Sequence, residues 1–228
     1  MISVIIPTLN DERTLVPTLT ALVPAVVDGV VQEAILADGG STDDTRIIAD
    51  AAGAQLIDAP RGRGTQLEAG AALARGEWLL FLRADTALEP GWAEEAQAFI
   101  ERVESGRRRQ AAAFFCFALD DDGFTPRLFE RLVRLRSVLW ALPHGDQGIL
   151  ISRKLYERLG GFRKPFIEDG ALTRRLKRSE IVMLKSRGLA GGERYRRDGY
   201  FARGLRNAGL AVLHFLRAPA RALARLYG

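Results

Sequence analysis

The chain has 228 residues, 47% apolar and 27% charged, an ordinary globular balance with material for one large domain or two small ones. Its single cysteine, Cys116, excludes an intrachain disulfide, and no uninterrupted apolar run approaches the length of a membrane-spanning helix. The net charge of +5 is uneven: from Lys185 to Gly228, ten Lys or Arg face only Glu193 and Asp198, so the remainder is slightly acidic and the tail is the part suited to an anionic partner.

The first run, Ser3-Val4-Ile5-Ile6, is short, apolar and β-branched and predicts a buried strand. It lacks the charged start of a signal peptide and is stopped by Pro7, which together with the lone cysteine points to a cytoplasmic protein. Pro7 to Asn10 is expected to be a loop and Asp11 to Leu22 a helix. Glu33–Ala37 is a second strand, ending in the turn Asp38-Gly39-Gly40. Ser41 is expected to cap the next helix, with Asp44 in capping-box position and Gly53 closing it. A third strand, Gln55–Ile57, a helix over Thr65–Ala74, a fourth strand, Trp78–Leu82, and a helix after Pro90 follow. Cys116 lies in the apolar run Ala111–Ala118 and reads as a buried small hydrophobe. Ala112–Leu119 is a strand, Asp120–Gly123 a turn, Pro126 to about Ala141 an amphipathic helix, Gly148–Ile151 a strand and Glu168 to Lys177 a helix. Asp198 to Tyr227 reads as basic helices interrupted at Pro219. The division expected is one domain over 1–200 and basic amphipathic helices over 201–228.

Four strand–helix alternations in succession predict an α/β fold with a mostly parallel, helix-covered sheet. Ligands in such sheets bind beyond the carboxyl ends of the strands, where Asn10-Asp11-Glu12, Asp38-Gly39-Gly40-Ser41 and Arg83-Ala84-Asp85 all fall. Asp38 has two readings, a carboxylate for a nucleobase or ribose hydroxyl, or a polar turn before a helix. Asp85 could hold Mg²⁺ or Mn²⁺ on a pyrophosphate, or cap a turn before Pro90. Arg83 cannot bind a cation but can bond phosphate through its planar fork. His144, Asp146 and Gln147 crowd polar groups into one loop. Glu168-Asp169 opens a helix, where acids suit the dipole and where one could equally act as a general base. Arg194-Tyr195-Arg196-Arg197 is a basic–aromatic cluster able to hold a leaving pyrophosphate, or a solvated helix start.

Three stretches in order, Ser3 to Glu12, Ala37 to Thr45 and Gly76 to Thr86, resemble glycosyltransferase family 2, the large group with the GT-A fold. Gly145-Asp146-Gln147-Gly148, Leu159-Gly160-Gly161-Phe162, Ile167-Glu168-Asp169 and Arg194 to Gly199 resemble a compact bacterial branch named radical SAM/selenodomain-associated transferase 2, a name taken from gene neighbourhood. The resemblance implies a Rossmann-like GT-A sheet. It implies Pro7, Asn10, Glu12, Asp38, Arg63, Arg83, Asp85, Arg194 and Arg196 on the donor side, with Arg197 beside them, and Asp85 as the surviving ligand of an Asp-x-Asp metal motif. It implies Asp169 as general base, paired with Glu168, and His144, Asp146 and Gln147 at the acceptor loop. Two departures stand out: Arg83 occupies a position where the family usually has Asp, and Glu193 and Tyr195 replace residues that are often Arg or Ser and Trp.

The function expected is transfer of a sugar from a nucleoside-diphosphate donor to a hydroxyl acceptor with inversion, helped by Mg²⁺ or Mn²⁺ with weakened metal dependence because of Arg83. A nucleotidyltransferase is a rival, but its triphosphate loop would lie near the N-terminus, whereas the basic, glycine-rich Arg61-Gly62-Arg63-Gly64 follows the third strand. A binding protein that has lost turnover is the second rival, motivated by Arg83. Nucleic acid is not an expected partner, because the tail's charge is not interleaved with stacking aromatics. Gly204–Tyr227 instead has the pattern of a basic helix lying on anionic lipid, or of one packed on the domain.

Overall fold

The computed structural model describes residues 1–121, 123, 125–131, 147–162 and 170–191. Elements β1 (Ile2–Thr8), α1 (Glu12–Thr20), α2 (Val23–Val27), β2 (Val31–Asp38), α3 (Thr45–Ala51), β3 (Gln55–Asp58), α4 (Arg63–Leu73), β4 (Trp78–Phe81), β5 (Thr86–Leu88), α5 (Trp92–Glu104) and β6 (Ala112–Asp120) run in that order. Helical residues 125–131 (α6), β7 (Ile149–Ser152), α7 (Arg153–Arg158), α8 (Gly170–Thr173), a 3₁₀ turn at Arg178–Glu180 and β8 (Ile181–Gly191) follow.

The strands form one sheet in the order β3-β2-β1-β4-β7-β6-β8-β5. The first four are parallel, β1 pairing with β2 on one side and β4 on the other. β7 runs antiparallel between β4 and β6, β6 and β8 are parallel, and β5 pairs antiparallel with β8 at the edge. The α/β expectation therefore holds, with the second half mixed in direction.

Alternation along the strands explains the layers. Ile2, Val4 and Ile6 of β1 and Trp78 and Leu80 of β4 face a core shared with Leu15 and Leu19 of α1, Ala49 of α3 and Phe99 of α5. Ile5, Leu79 and Phe81 face the opposite core, with Leu67 and Ala71 of α4, Leu155 of α7 and Leu172 of α8. On that second face α4 lies close: a Cβ on Gly70 would sit 2.4 Å from Cγ2 of Ile5.

The departures from the sequence expectations have local causes. Pro7 and Thr8 extend β1 instead of starting a loop, since β2 continues beside them to Asp38. The helix expected over Asp11–Leu22 stops at Thr20, and α2 forms separately with Pro24 in its first turn. Ser41 does not cap α3; the N-cap is Asp44, and the Ser41 hydroxyl is drawn to Asp38 instead. Gly53 closes α3 in the left-handed region, φ +67°, as expected.

Strands β5 and β8 are not evident in the sequence. β5 has three residues, and β8 carries Lys185, Ser186 and Arg187 at a bulge, where the register jumps from Phe114–Met183 to Cys116–Arg187. Glu95 of α5 accepts the bulged backbone N–H groups of Lys185 and Ser186, each at 2.8 Å, and the Ser186 hydroxyl at 2.6 Å. Cys116, expected to be buried, is half-buried at this slip. No described helix is long and apolar enough to cross a membrane. The basic helices expected over 198–227 lie outside the described residues.

Candidate active site

The chain leaves β1 for β2 on one side and later crosses to β4 on the other, so the strand order reverses between β1 and β4. Beyond the carboxyl ends of these two strands lies a cleft of about 190 Å³, walled by Pro7, Thr8, Leu9, Asp11, Arg63, Gln66, Arg83, Ala84 and Asp85. A reversal of this kind is where open α/β sheets place ligands. The volume is below the roughly 300–1,000 Å³ of pockets that enclose a whole small molecule, a size suited to one charged portion of a larger ligand.

Two arginines and two aspartates line it. The Arg83 guanidinium grips Asp85 side-on, Nε to Oδ1 at 2.6 Å and Nη2 to Oδ2 at 2.9 Å, with the side chains 20% and 10% exposed. Arg63 enters from the first turn of α4 and Asp11 from the residue before α1.

The backbone carrying Arg83 and Asp85 is held at four points. The Leu82 N–H bonds the Ile5 carbonyl, the buried Thr18 hydroxyl of α1 donates to the Ala84 carbonyl at 2.9 Å, the Thr86 N–H bonds the Arg83 carbonyl, and the Gly191 N–H donates to the Asp85 carbonyl at 2.9 Å. The end of β8 is thereby tied to Asp85. Gln66, buried on α4, ties the other wall by donating from Nε2 to the carbonyls of Thr8 (2.8 Å) and Ala37 (2.7 Å).

Asn10, Glu12 and Asp38 do not wall the cleft; they bind its two adjoining loops together. The Asn10 N–H donates to the Ser41 hydroxyl and its side-chain oxygen accepts from the Thr42 N–H, both at 2.9 Å. Asn10 is the one described non-glycine residue with positive φ, +54°, which a short amide side chain tolerates. The Asp11 N–H donates to the Thr45 hydroxyl, the Glu12 N–H to the Asp43 carboxylate, and the Glu12 carboxylate accepts from the Asp44 N–H.

Asp38 is fully buried. Oδ1 accepts from the hydroxyls of Thr8 and Ser41, and Oδ2 from the N–H groups of Gly40 and Ser41 and from Arg46, whose Nη1 also reaches Asp58 at 2.6 Å. Burial raises the Asp38 carboxyl, but the donors from Ser41, Arg46 and Thr8 outweigh it and hold it below the usual carboxylate range. A nucleoside contact to this carboxylate would have to exchange with one of those donors.

Of the residues singled out in the sequence, Pro7, Arg63, Arg83 and Asp85 meet around the cleft. Gln147 is buried just before β7, whose Ile149 pairs with Phe81 at the same end of β4. His144, Asp146, Glu168, Asp169, Arg194, Arg196 and Arg197 lie outside the described residues. Asp11 was visible in its polar cluster without a role of its own. Gln66 was missed, and its only signal is a lone amide among the small and apolar residues of α4.

Residues 3–111 match the model of glycosyl transferase family 2. The chain is similar to glucosyl-3-phosphoglycerate synthase of Mycolicibacterium paratuberculosis, 38% identical over 93 residues, which cover 37% of this chain and 28% of that protein. It is also similar to a PGL/p-HBAD biosynthesis glycosyltransferase of Mycobacterium bovis, 40% identical over 101 residues, covering 39% and 36%. The matched stretch thus spans well under half of either relative.

Among solved structures, glucosyl-3-phosphoglycerate synthase of Mycobacterium tuberculosis in complex with Mn²⁺, uridine diphosphate and phosphoglyceric acid superposes with a TM-score of 0.55. It is 26% identical, and the match covers 81% of this chain and 68% of that one. None of these matches bears on the narrower branch name. Residues 3–111, from β1 to the residue before β6, thus carry a glycosyl transferase family 2 match, on a GT-A-like sheet with its cleft at the strand reversal.

Proposed function

We propose that the protein transfers a sugar from a nucleoside-diphosphate donor to a hydroxyl acceptor, with inversion at the anomeric carbon. The observation that carries this reading is the cleft at the β1–β4 reversal, where Arg63, Arg83, Asp11 and Asp85 converge on rigid strand ends. As the glycosidic bond breaks, negative charge develops on the departing diphosphate, and two arginines held beside it are the groups that stabilise that charge. Asp169 is proposed as the base that takes the acceptor proton, with Glu168 beside it. Arg194 and Arg196 follow shortly after Gly191, which is bonded to Asp85, and are proposed to reach the diphosphate from that side.

The solved relative binds Mn²⁺ with its nucleotide, and the donor set here suits such an ion. Asp85 and Asp11 supply hard carboxylate oxygens to one cleft. Among the described residues no three His, Cys, Asp or Glu side chains gather to hold an ion unaided, so diphosphate oxygens and water would complete its shell, as Mg²⁺ and Mn²⁺ commonly require. Bound there, the cation would neutralise diphosphate charge.

The donor of the solved relatives, a uridine diphosphate sugar, is the first to test, and the acceptor of this chain is a hydroxyl compound of open identity. We also propose a cytoplasmic location, with the basic segment 201–228 resting on anionic lipid. The central reading is tested by calorimetry of nucleoside diphosphates and their sugars with Mg²⁺, Mn²⁺ or chelator. Binding of one nucleotide class, and a drop of about 100-fold in transfer for Asp85→Ala against a smaller one for Arg83→Ala, is expected. Binding without any hydrolysis or transfer would favour a protein that has lost turnover, and no nucleotide binding at millimolar concentration would sink the reading.

A further inference from the structure

We infer that Arg83 and a divalent cation are alternative partners of Asp85, and that the donor diphosphate decides between them by drawing Arg83 off the carboxylate and onto phosphate. This deepens the reading above and rests on it for the identity of the ligand. The observation is the side-on pair: one nitrogen of Arg83 on each oxygen of Asp85, at 2.6 and 2.9 Å. Both carboxylate oxygens are engaged, so an ion seated at about 2.0–2.2 Å from either one would stand within a few ångströms of the guanidinium charge. The pair is only 20% and 10% exposed, so solvent screens that repulsion weakly. Guanidinium and cation therefore exclude each other.

The exchange has to occur in the Arg83 side chain. The backbone from Leu82 to Thr86 is bonded to β1, α1 and β8, so it offers no loop to swing aside. The planar, two-donor fork of Arg83 that grips a carboxylate also matches a phosphate group. Diphosphate and cation then favour each other's binding beyond their direct contact, because each removes what blocks the other.

Mn²⁺ binding to the full chain, followed by electron paramagnetic resonance with and without uridine diphosphate, reads this directly and without turnover. In the absence of nucleotide, Arg83→Met is expected to bind Mn²⁺ about tenfold more tightly than wild type, the factor for a site freed from a pair closed roughly nine-tenths of the time. Arg83→Lys, which keeps the charge and loses the fork, should fall between, and it decides the matter should the Met variant fail to fold. Asp85→Asn should abolish Mn²⁺ binding in either background.

Uridine diphosphate should tighten Mn²⁺ by a larger factor in wild type than in Arg83→Met. Equal Mn²⁺ affinity in wild type and both Arg83 variants without nucleotide would overturn the competition. An equal nucleotide effect in wild type and Arg83→Met would overturn the part played by the diphosphate. Failure of uridine diphosphate to bind wild type would count against the proposed donor, while the nucleotide-free titration would still decide whether Arg83 and the cation compete.

Discussion

Asp38 was one of the sequence candidates for a ligand contact, and in the structure it has a full set of protein partners. Five donors converge on a carboxylate with no exposed surface. Because its folded pKa lies below the ordinary carboxylate value, the unfolded chain takes up the proton first as pH falls. The stabilisation is therefore complete above the unfolded value near 3.8 and is lost as pH drops through the folded one. Asp38→Asn keeps the shape and removes the charge. It is expected to cost about 1–3 kcal/mol at pH 7, with the gap to wild type narrowing on acidification. Urea unfolding at pH 7 and near pH 3 measures this, and a constant gap would refute it. The sequence could place Asp38 at a strand end, since that follows from the apolar run before it. It could not reveal Arg46, because a contact eight residues away around a helix start depends on where Ser41 points. The cleft residues were more legible: Arg83 and Asp85 follow the most apolar strand, and strand ends converge.

At the level of elements, strands buried on both faces were readable because their composition says so directly. β5 and β8 were not, since one is too short to show a pattern and the other's alternation is interrupted by a bulge that only α5 explains. Helix α4 lies against β1 at Gly70, where a Cβ would meet Ile5. Ile5 is a fully buried, β-branched side chain of the central strand and has no room to retreat. Gly70→Ala, which ordinarily favours a helix, is expected here to lower stability by about 1–3 kcal/mol through overpacking. Thermal unfolding tests it, and an unchanged or higher midpoint would show that α4 can shift outward. Any such shift would also move Gln66, which fixes the ends of β1 and β2 beside the cleft.

For the molecule as a whole, the charge is divided between a slightly acidic body and a basic tail, with ten Lys or Arg after position 184. A polybasic segment gains on the order of 1 kcal/mol per residue near an anionic surface, and the gain falls within a Debye length. The full chain is expected to float with liposomes rich in acidic lipid at low salt, and to be released as ionic strength rises. A chain lacking 201–228 should remain in solution, and equal flotation of the two would rule out membrane contact through this segment. The family match stops at residue 111. Most residues proposed for the donor side fall within that stretch, whereas those proposed for the acceptor loop and the base lie beyond it.

The bond from the Gly191 N–H to the Asp85 carbonyl has a consequence for local unfolding. β5 lies at one edge of the sheet, three residues long and paired with β8. Edge segments of this kind open at lower free energy than the central strands. When β5 and β8 part, the carbonyl of Asp85 loses its partner and the cleft loses one of its four fixed points. The organised site is therefore expected to last no longer than this short edge stays paired, and amide exchange at Gly191, compared with that of β1, measures how often the cleft comes apart.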